Sequence, residues 1–234
     1  MPIGHKQLPL DLPHEAAMTR ADFIVGKANR AAAALVDRWP NWPARVVLLA
    51  GPVGSGKTHL GHAWAAASGA KVTKAVQLGA SDLTLLLSAG GLLVEDLHEP
   101  GLDETALFHL LNLAGEHGAD LLITSRVWPA ALGLKLPDLV SRLRAAHPVE
   151  LSEPDDELLR AVLIKLFADR QVAIDSAVID FLALRMERSL GAAVSLVERL
   201  DRDALAAGRP ITRNLAAQVL RSLSTGEPGL PFEG

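Results

Sequence analysis

Eight consecutive residues, Gly51-Pro52-Val53-Gly54-Ser55-Gly56-Lys57-Thr58, limit the possible folds more than any other stretch of the chain. They satisfy the spacing G-x-x-x-x-G-K-[ST], which works only where a strand delivers the first glycine and a helix leaves at the lysine. Without Cβ atoms at Gly51, Gly54 and Gly56, the backbone N–H groups around Ser55 can converge on phosphate oxygens. The positive end of the following helix adds to the same field. Lys57 is expected to reach the β- and γ-phosphates, and Thr58 to hold Mg²⁺. The flanks fit: Arg45–Ala50 (RVVLLA) is an apolar run of strand length, and Lys57–Ala67 has helical character. The motif therefore predicts a site for ADP or ATP with Mg²⁺.

A strand–loop–helix unit of this kind belongs in a parallel sheet covered on both faces. Three further apolar bursts read as strands: Gly91–Val94, Asp120–Thr124 and Pro148–Leu151. Helical segments such as Glu104–Glu116 lie between them. Beyond Leu151 the strand signal stops. Ser152 and Asp155 have the spacing of a capping box, and Leu159, Val162, Leu163 and Leu166 recur at helical intervals. Helices are expected around Val178–Met186, Gly191–Ala206 and Asn214–Leu223, the last with Thr212 as its N-cap. The predicted class is α/β: a P-loop parallel sheet flanked by helices, with a small C-terminal all-helical lid. The expected organisation is an extended tail over 1–15, a nucleotide-binding domain over 16–151, the lid over 152–224 and a loose end over 225–234.

Composition narrows the function. Apolar residues make up 49 % of the 234, enough for a core, but no apolar run approaches the ~18 residues of a membrane span. There is no cysteine, so no disulfide or thiolate metal site, and a cytoplasmic setting is expected. The formal charge of −4 and pI near 6.1 argue against free-standing DNA binding, which draws on basic excess.

A phosphate loop needs an acid at the end of a neighbouring strand to order the metal. Leu92-Leu93-Val94-Glu95-Asp96 supplies it, with Glu95 at the metal-ordering position and Asp96 as a weak base. The usual order is Asp followed by an acid, so vigorous hydrolysis is not expected. Ile123-Thr124-Ser125-Arg126 offers a polar strand end that could sense the γ-phosphate or simply begin a loop. His59 and His62 lie three apart with no third ligand in sequence, which argues against a separate metal site.

Taken together these motifs resemble the AAA+ ATPases related to the bacterial initiator DnaA. Gly56-Lys57-Thr58-His59-Leu60-x-His62-Ala63 is similar to their P-loop helix. Phe23-Ile24-Val25-Gly26-x-x-Asn29 resembles the upstream box that contacts adenine, which implies nucleotide contacts by Phe23, Ile24, Val25 and His59. Leu136-Pro137-Asp138-Leu139-x-Ser141-Arg142-Leu143 resembles the box bearing the arginine finger and assigns that role, in trans, to Arg142. Arg144 is nearby but matches less well. The resemblance spans about residues 20–224. The initiators continue into a helix-turn-helix domain, whereas this sequence ends after the lid, so the expectation is the shorter Hda branch. For that branch the family implies stimulation of ATP hydrolysis by the initiator DnaA, with restraint of re-initiation. It also implies binding to the sliding clamp, the beta subunit of DNA polymerase III, and contact with DNA only through the clamp. No membrane partner is implied, and self-association into a homo-oligomer is left open.

The N-terminal tail fits this branch. Gln7-Leu8-Pro9-Leu10-Asp11-Leu12 resembles a clamp-binding peptide, with Gln7 at the pocket rim and Leu8, Leu10 and Leu12 as apolar contacts. The family's lid helix carries an arginine that touches the phosphates. Here Gly191 falls near that position, with Arg188 as a neighbouring substitute. Both departures suit a protein that holds nucleotide more than it turns it over. The competing expectation is an autonomous AAA+ ATPase such as a helicase loader.

Overall fold

The computed structural model describes residues 18–225, with side chains to residue 223. Clamp-peptide residues Gln7, Leu8, Leu10 and Leu12 lie outside the described residues. Five strands, β1 (Val46–Ala50), β2 (Lys71–Lys74), β3 (Gly91–Glu95), β4 (Asp120–Ser125) and β5 (His147–Glu150), form one parallel sheet in the order β2-β3-β4-β1-β5. Helices α1 (Arg30–Asp37), α2 (Lys57–Ser68), α3 (Leu83–Leu87), α4 (Glu104–His117) and α5 (Pro137–Ala145) cover it. The last four helices, α6 (Asp156–Asp169), α7 (Ser176–Ala183), α8 (Leu190–Ala207) and α9 (Arg213–Thr225), make the lid.

Alternation along the strands sorts the core into two layers. Leu48, Leu92, Val94, Leu121 and Ile123 face α3, α4 and α5. Val47, Leu49, Leu93 and Leu122 face α1 and α2, where Leu60 and Trp64 are buried. The lid has its own core, including Leu159, Leu163, Phe167, Leu182, Leu196 and Leu200. Chain order reverses between β1 and β4: β1 is followed in sequence by strands on one side and finally by β5 on the other. Ligands of open parallel sheets bind at the carboxyl ends of such strands. Gly51, the first residue past β1, sits there and its N–H donates to Ser125 O at 3.2 Å.

Sequence patterning located four of the five strands. It missed β2, because Lys71-Val72-Thr73-Lys74 has one aliphatic residue and occupies the sheet edge, where lysines are usual. The capping-box reading also needs correction. The N-cap of α6 is Asp155, whose side chain accepts from Leu158 N at 2.8 Å, so the helix begins three residues after the spacing from Ser152 implied. Thr212 does cap α9, accepting from Leu215 N at 3.4 Å. That helix extends to Thr225, one residue into the stretch read as a loose end. No helix among the described residues is long and apolar enough to cross a membrane.

Leu163 is fully buried at the centre of the lid. Leu163→Ala should cost about 2–5 kcal/mol, as cavity-forming core substitutions do. Calorimetric unfolding should show the loss, and an unchanged midpoint would mean the lid does not share the cooperative unit.

Candidate functional site

Gly54 and Gly56 adopt φ of 72° and 99°, values that L side chains rarely take. Gly51 needs its hydrogen for a different reason: a Cβ there would drive into Leu151 O. Ser55 is buried and its Oγ donates to Pro52 O at 2.9 Å, closing the turn. Lys57 is folded under the loop, with Nζ 2.7 Å from Gly51 O and 2.6 Å from Pro52 O. Burial lowers its pKa below that of a free lysine and Arg126 adds to this, while Asp96 opposes it. An anion at the loop would relieve both unfavourable contributions. Thr58 is exposed in the first turn of α2.

The two acids after Val94 part ways. Glu95 ends β3 on the α2 side, with Oε2 3.3 Å from His62 Nε2. Asp96 takes a positive φ of 59°, and its N–H donates to Thr124 Oγ1 at 3.1 Å. Asp96, not Glu95, is the carboxylate whose charge acts on Lys57. Thr124 and Ser125 are buried strand residues instead of the start of a loop. Their groups hold the site together: Thr124 fixes Asp96, and Ser125 O receives Gly51 N–H.

His98 also enters this cluster, which sequence reading missed. Asp96, His98 and Glu99 bring ligand atoms within 4.8 Å of one another. However, His98 Nδ1 accepts from Arg126 N at 3.3 Å, which places the neutral ring's proton on Nε2. Burial and the Arg126 guanidinium lower the His98 pKa. His98 Nε2 is buried without a hydrogen-bond partner among the described residues. His59 and His62 have separate partners, Thr19 O at 2.9 Å and Glu95 Oε2 at 3.3 Å.

A cavity of about 330 Å³ opens beside the loop, within the range of small-molecule sites. Phe23, Ile24 and His59 line it from the α/β domain, and Lys165, Leu190 and Val194 are among the lid residues that face it. Phe23 and His59 meet edge to face at 5.3 Å. Asn29, buried, shapes the segment: its Nδ2 donates to Ile24 O at 2.9 Å and its Oδ1 accepts from Gly26 N at 2.8 Å. Val25, grouped with Phe23 and Ile24 in sequence, does not line the cavity and is 42 % exposed.

The lid reaches the phosphate loop directly. Leu190 N donates to Gly54 O at 2.7 Å, and Ser189 packs where a Cβ on Gly54 would stand. Gly191 therefore lies in the first turn of a helix that abuts the loop. Arg188 does not serve as its substitute here; it pairs with Asp156 at 2.8 Å and donates to Pro154 O at 3.3 Å. Arg142 lies on α5, exposed, with its guanidinium carbon 5.4 Å from the centre of the Phe108 ring. It stands on a helix that follows β4, apart from the residues that line the cavity. Phe23, Ile24 and His59 thus line one cavity, Asp96 acts on Lys57 of the adjoining loop, and Arg142 lies elsewhere on the surface.

No family model matches the chain. The chain is 28 % identical over 229 residues to the chromosomal replication initiator protein DnaA of Thermomicrobium roseum, covering 85 % of this chain and 48 % of that one. It thus spans about half the length of that curated relative. Domain III of the Thermotoga maritima replication initiation protein DnaA superposes with a TM-score of 0.74 at 21 % identity, covering 90 % of this chain and 98 % of that structure. AMPPCP-bound DnaA from Aquifex aeolicus gives 0.67 at 22 % identity, covering 82 % and 67 %. A Thermotoga maritima RuvB mutant gives 0.69 at 20 % identity, covering 88 % and 72 %. The likeness shows the fold, which this chain shares with DnaA domain III and RuvB.

Lys57→Ala should abolish tight binding of ADP or ATP, since it removes the buried cation at the loop. Gly54→Ala should weaken binding as well, through the positive φ and the collision with Ser189. Isothermal titration of both variants against the parent checks this; parental affinity in Lys57→Ala would exclude the loop as the phosphate site.

Proposed function

We propose that this chain is a nucleotide-holding AAA+ regulator that acts on a second ATPase. In this reading it binds ADP or ATP with Mg²⁺ at Gly51–Thr58, with Thr58 and Glu95 ordering the metal and Phe23, Ile24 and His59 around the base. It joins the sliding clamp through Gln7, Leu8, Leu10 and Leu12. On clamp-loaded DNA it promotes hydrolysis of the ATP held by a DnaA-type initiator, which restrains re-initiation.

The observation that carries this reading is the contrast between two arginines. Arg142 is exposed, with its guanidinium carbon 5.4 Å from the centre of the Phe108 ring, and among the described residues it forms no ion pair. An exposed, unpaired planar guanidinium has its N–H groups available to an incoming phosphate. Arg188, beside the lid's approach to its own loop, is engaged with Asp156 and Pro154. In this reading Arg142 meets the γ-phosphate of a neighbouring subunit's nucleotide, while Arg126 acts on Lys57 and His98 at the chain's own loop. The likeness to DnaA suggests which neighbour that is.

The isolated chain should turn over ATP weakly. Rapid steady-state hydrolysis would favour an autonomous ATPase, such as a helicase loader. Arg142→Ala should fold, bind ADP and bind clamp, yet lose stimulation of the initiator's hydrolysis by up to roughly 10³-fold, the lower range for fingers supplied in trans. Arg142→Lys should rescue little, for want of the planar fork. The readout is conversion of initiator-bound ATP to ADP with clamp-loaded DNA, where full stimulation by Arg142→Ala would remove the finger assignment. Deleting residues 1–15 should abolish clamp capture while leaving ADP affinity intact, and undiminished capture would refute the tail's role.

A further inference from the structure

The mouth of the cavity beside the phosphate loop is spanned by an ion pair that no phosphate motif requires. Lys165, in the third turn of α6, places Nζ 2.9 Å from Asp22 Oδ1 and 2.6 Å from Asp169 Oδ2. All three residues line the cavity. Their side chains remain 28–42 % exposed, so they stand at its wet rim and not in its floor.

The geometry joins the two walls. Asp22 directly precedes Phe23 and Ile24, the cavity residues of the α/β domain, while Lys165 belongs to the lid. Asp22 is itself held, since its Oδ2 accepts from Thr19 Oγ1 at 2.5 Å. Lys165 is held by Asp169 four residues on, along the same helix face. Each partner is thus pre-positioned before they meet, which lowers the ordering cost that usually cancels an exposed pair. Among the described residues one other side-chain ion pair joins residues 18–29 to the lid, Lys27–Glu157 at 3.1 Å. That pair is more than three-quarters exposed and lies off the cavity. The Asp22 carboxyl is held below the usual carboxylate range by Thr19 and Lys165, and the Lys165 ammonium is raised by Asp169 and Asp22. The bridge is fully charged at neutral pH.

We propose that Lys165 and Asp22 form a bolt across the nucleoside end of the cleft, which must part before bound nucleotide leaves and so helps set its release rate. The proposal rests on the reading that this cleft holds nucleotide. Lys165 acts as a retaining residue, through the closure of the walls on the ligand. A pair at a half-wet rim is worth a modest factor, so its loss should speed release by ~3- to 10-fold.

The test uses the full-length chain loaded with a fluorescent N-methylanthraniloyl ADP and chased with excess unlabelled ADP. Lys165→Met and Asp22→Asn should each release the probe ~3- to 10-fold faster. Lys165→Arg, which keeps the charge, should stay within about twofold of the parent. Arg160→Met serves as the lid control. It breaks the exposed Arg160–Asp180 pair, at 2.6 Å between α6 and α7, and should leave release unchanged. Parental release from both Lys165→Met and Asp22→Asn would overturn the bolt alone, with nucleotide binding intact. Equal acceleration by Arg160→Met would also overturn it, in favour of general loosening of the lid. A parent chain that retains no probe would overturn the nucleotide reading and the bolt with it.

Discussion

Gly54 joins the two halves of the site. Its carbonyl accepts the Leu190 amide across 2.7 Å, and its missing Cβ leaves the space that Ser189 fills. The loop must present N–H groups inward to an anion, which turns some of its carbonyls outward. An outward carbonyl near a buried junction needs a donor. The first turn of a helix has spare amides, and α8 supplies one from Leu190 while Ser189 Oγ accepts from Ala192 N at 3.2 Å. The lid is therefore fastened to the phosphate loop by the unmet hydrogen bonds of both. Phe23 extends the seam, since a Cβ on Gly56 would touch both Phe23 and Leu190 at 3.2 Å.

Charge is arranged around the same seam. Lys57 is parked on two carbonyls of its own loop, Gly51 and Pro52, which satisfies its donors but does not neutralise it. Asp96 supplies part of the missing negative field and Arg126 works against it. A phosphate tail would complete what Asp96 begins, so the loop's electrostatics and its backbone geometry favour the same class of ligand. The lid adds no cation at this point, because Arg188 is committed to Asp156.

The phosphate loop was legible in sequence because its chemistry is local: glycines at fixed intervals, a lysine at a helix start, and an apolar strand before them. Asn29 entered the sequence reading only as part of a matched box; its bracing of residues three and five positions earlier emerged from the structure. What escaped was contact made across the chain. Nothing in the spacing of Lys165 announces that it meets Asp22, 143 positions away. His98 carries no motif of its own and acquires its place from Arg126 on the next strand's exit. The edge strand β2 was hidden because half its residues are lysines whose pairing on one side only leaves little apolar pattern to read. Val25 fell in a matched box yet turns away from the cavity.

The division between Glu95 and Asp96 follows from the alternation of side chains along β3, and it bears on where hydrolysis would be supported. Glu95 is the last strand residue and lies on the side of Leu93, toward α2, where His62 meets it. Asp96 belongs to the opposite side, but a strand that simply continued would carry it away over the α4 layer. The positive φ at Asp96 and its amide bond to Thr124 Oγ1 break the strand at that residue. The carboxylate is thereby kept close enough for its charge to act on Lys57. A positive φ is uncommon for a residue other than glycine, and Asp is among the side chains that tolerate it best. Glu at 96 would find the turn harder to adopt, and Asp at 95 would fall short of His62. The order Glu-Asp therefore fits this backbone, with Glu95 against His62 of α2, the helix that carries Thr58, and Asp96 acting on the lysine. It gives the cleft two anchored carboxylates, while the exposed guanidinium of Arg142 lies on α5, outside it.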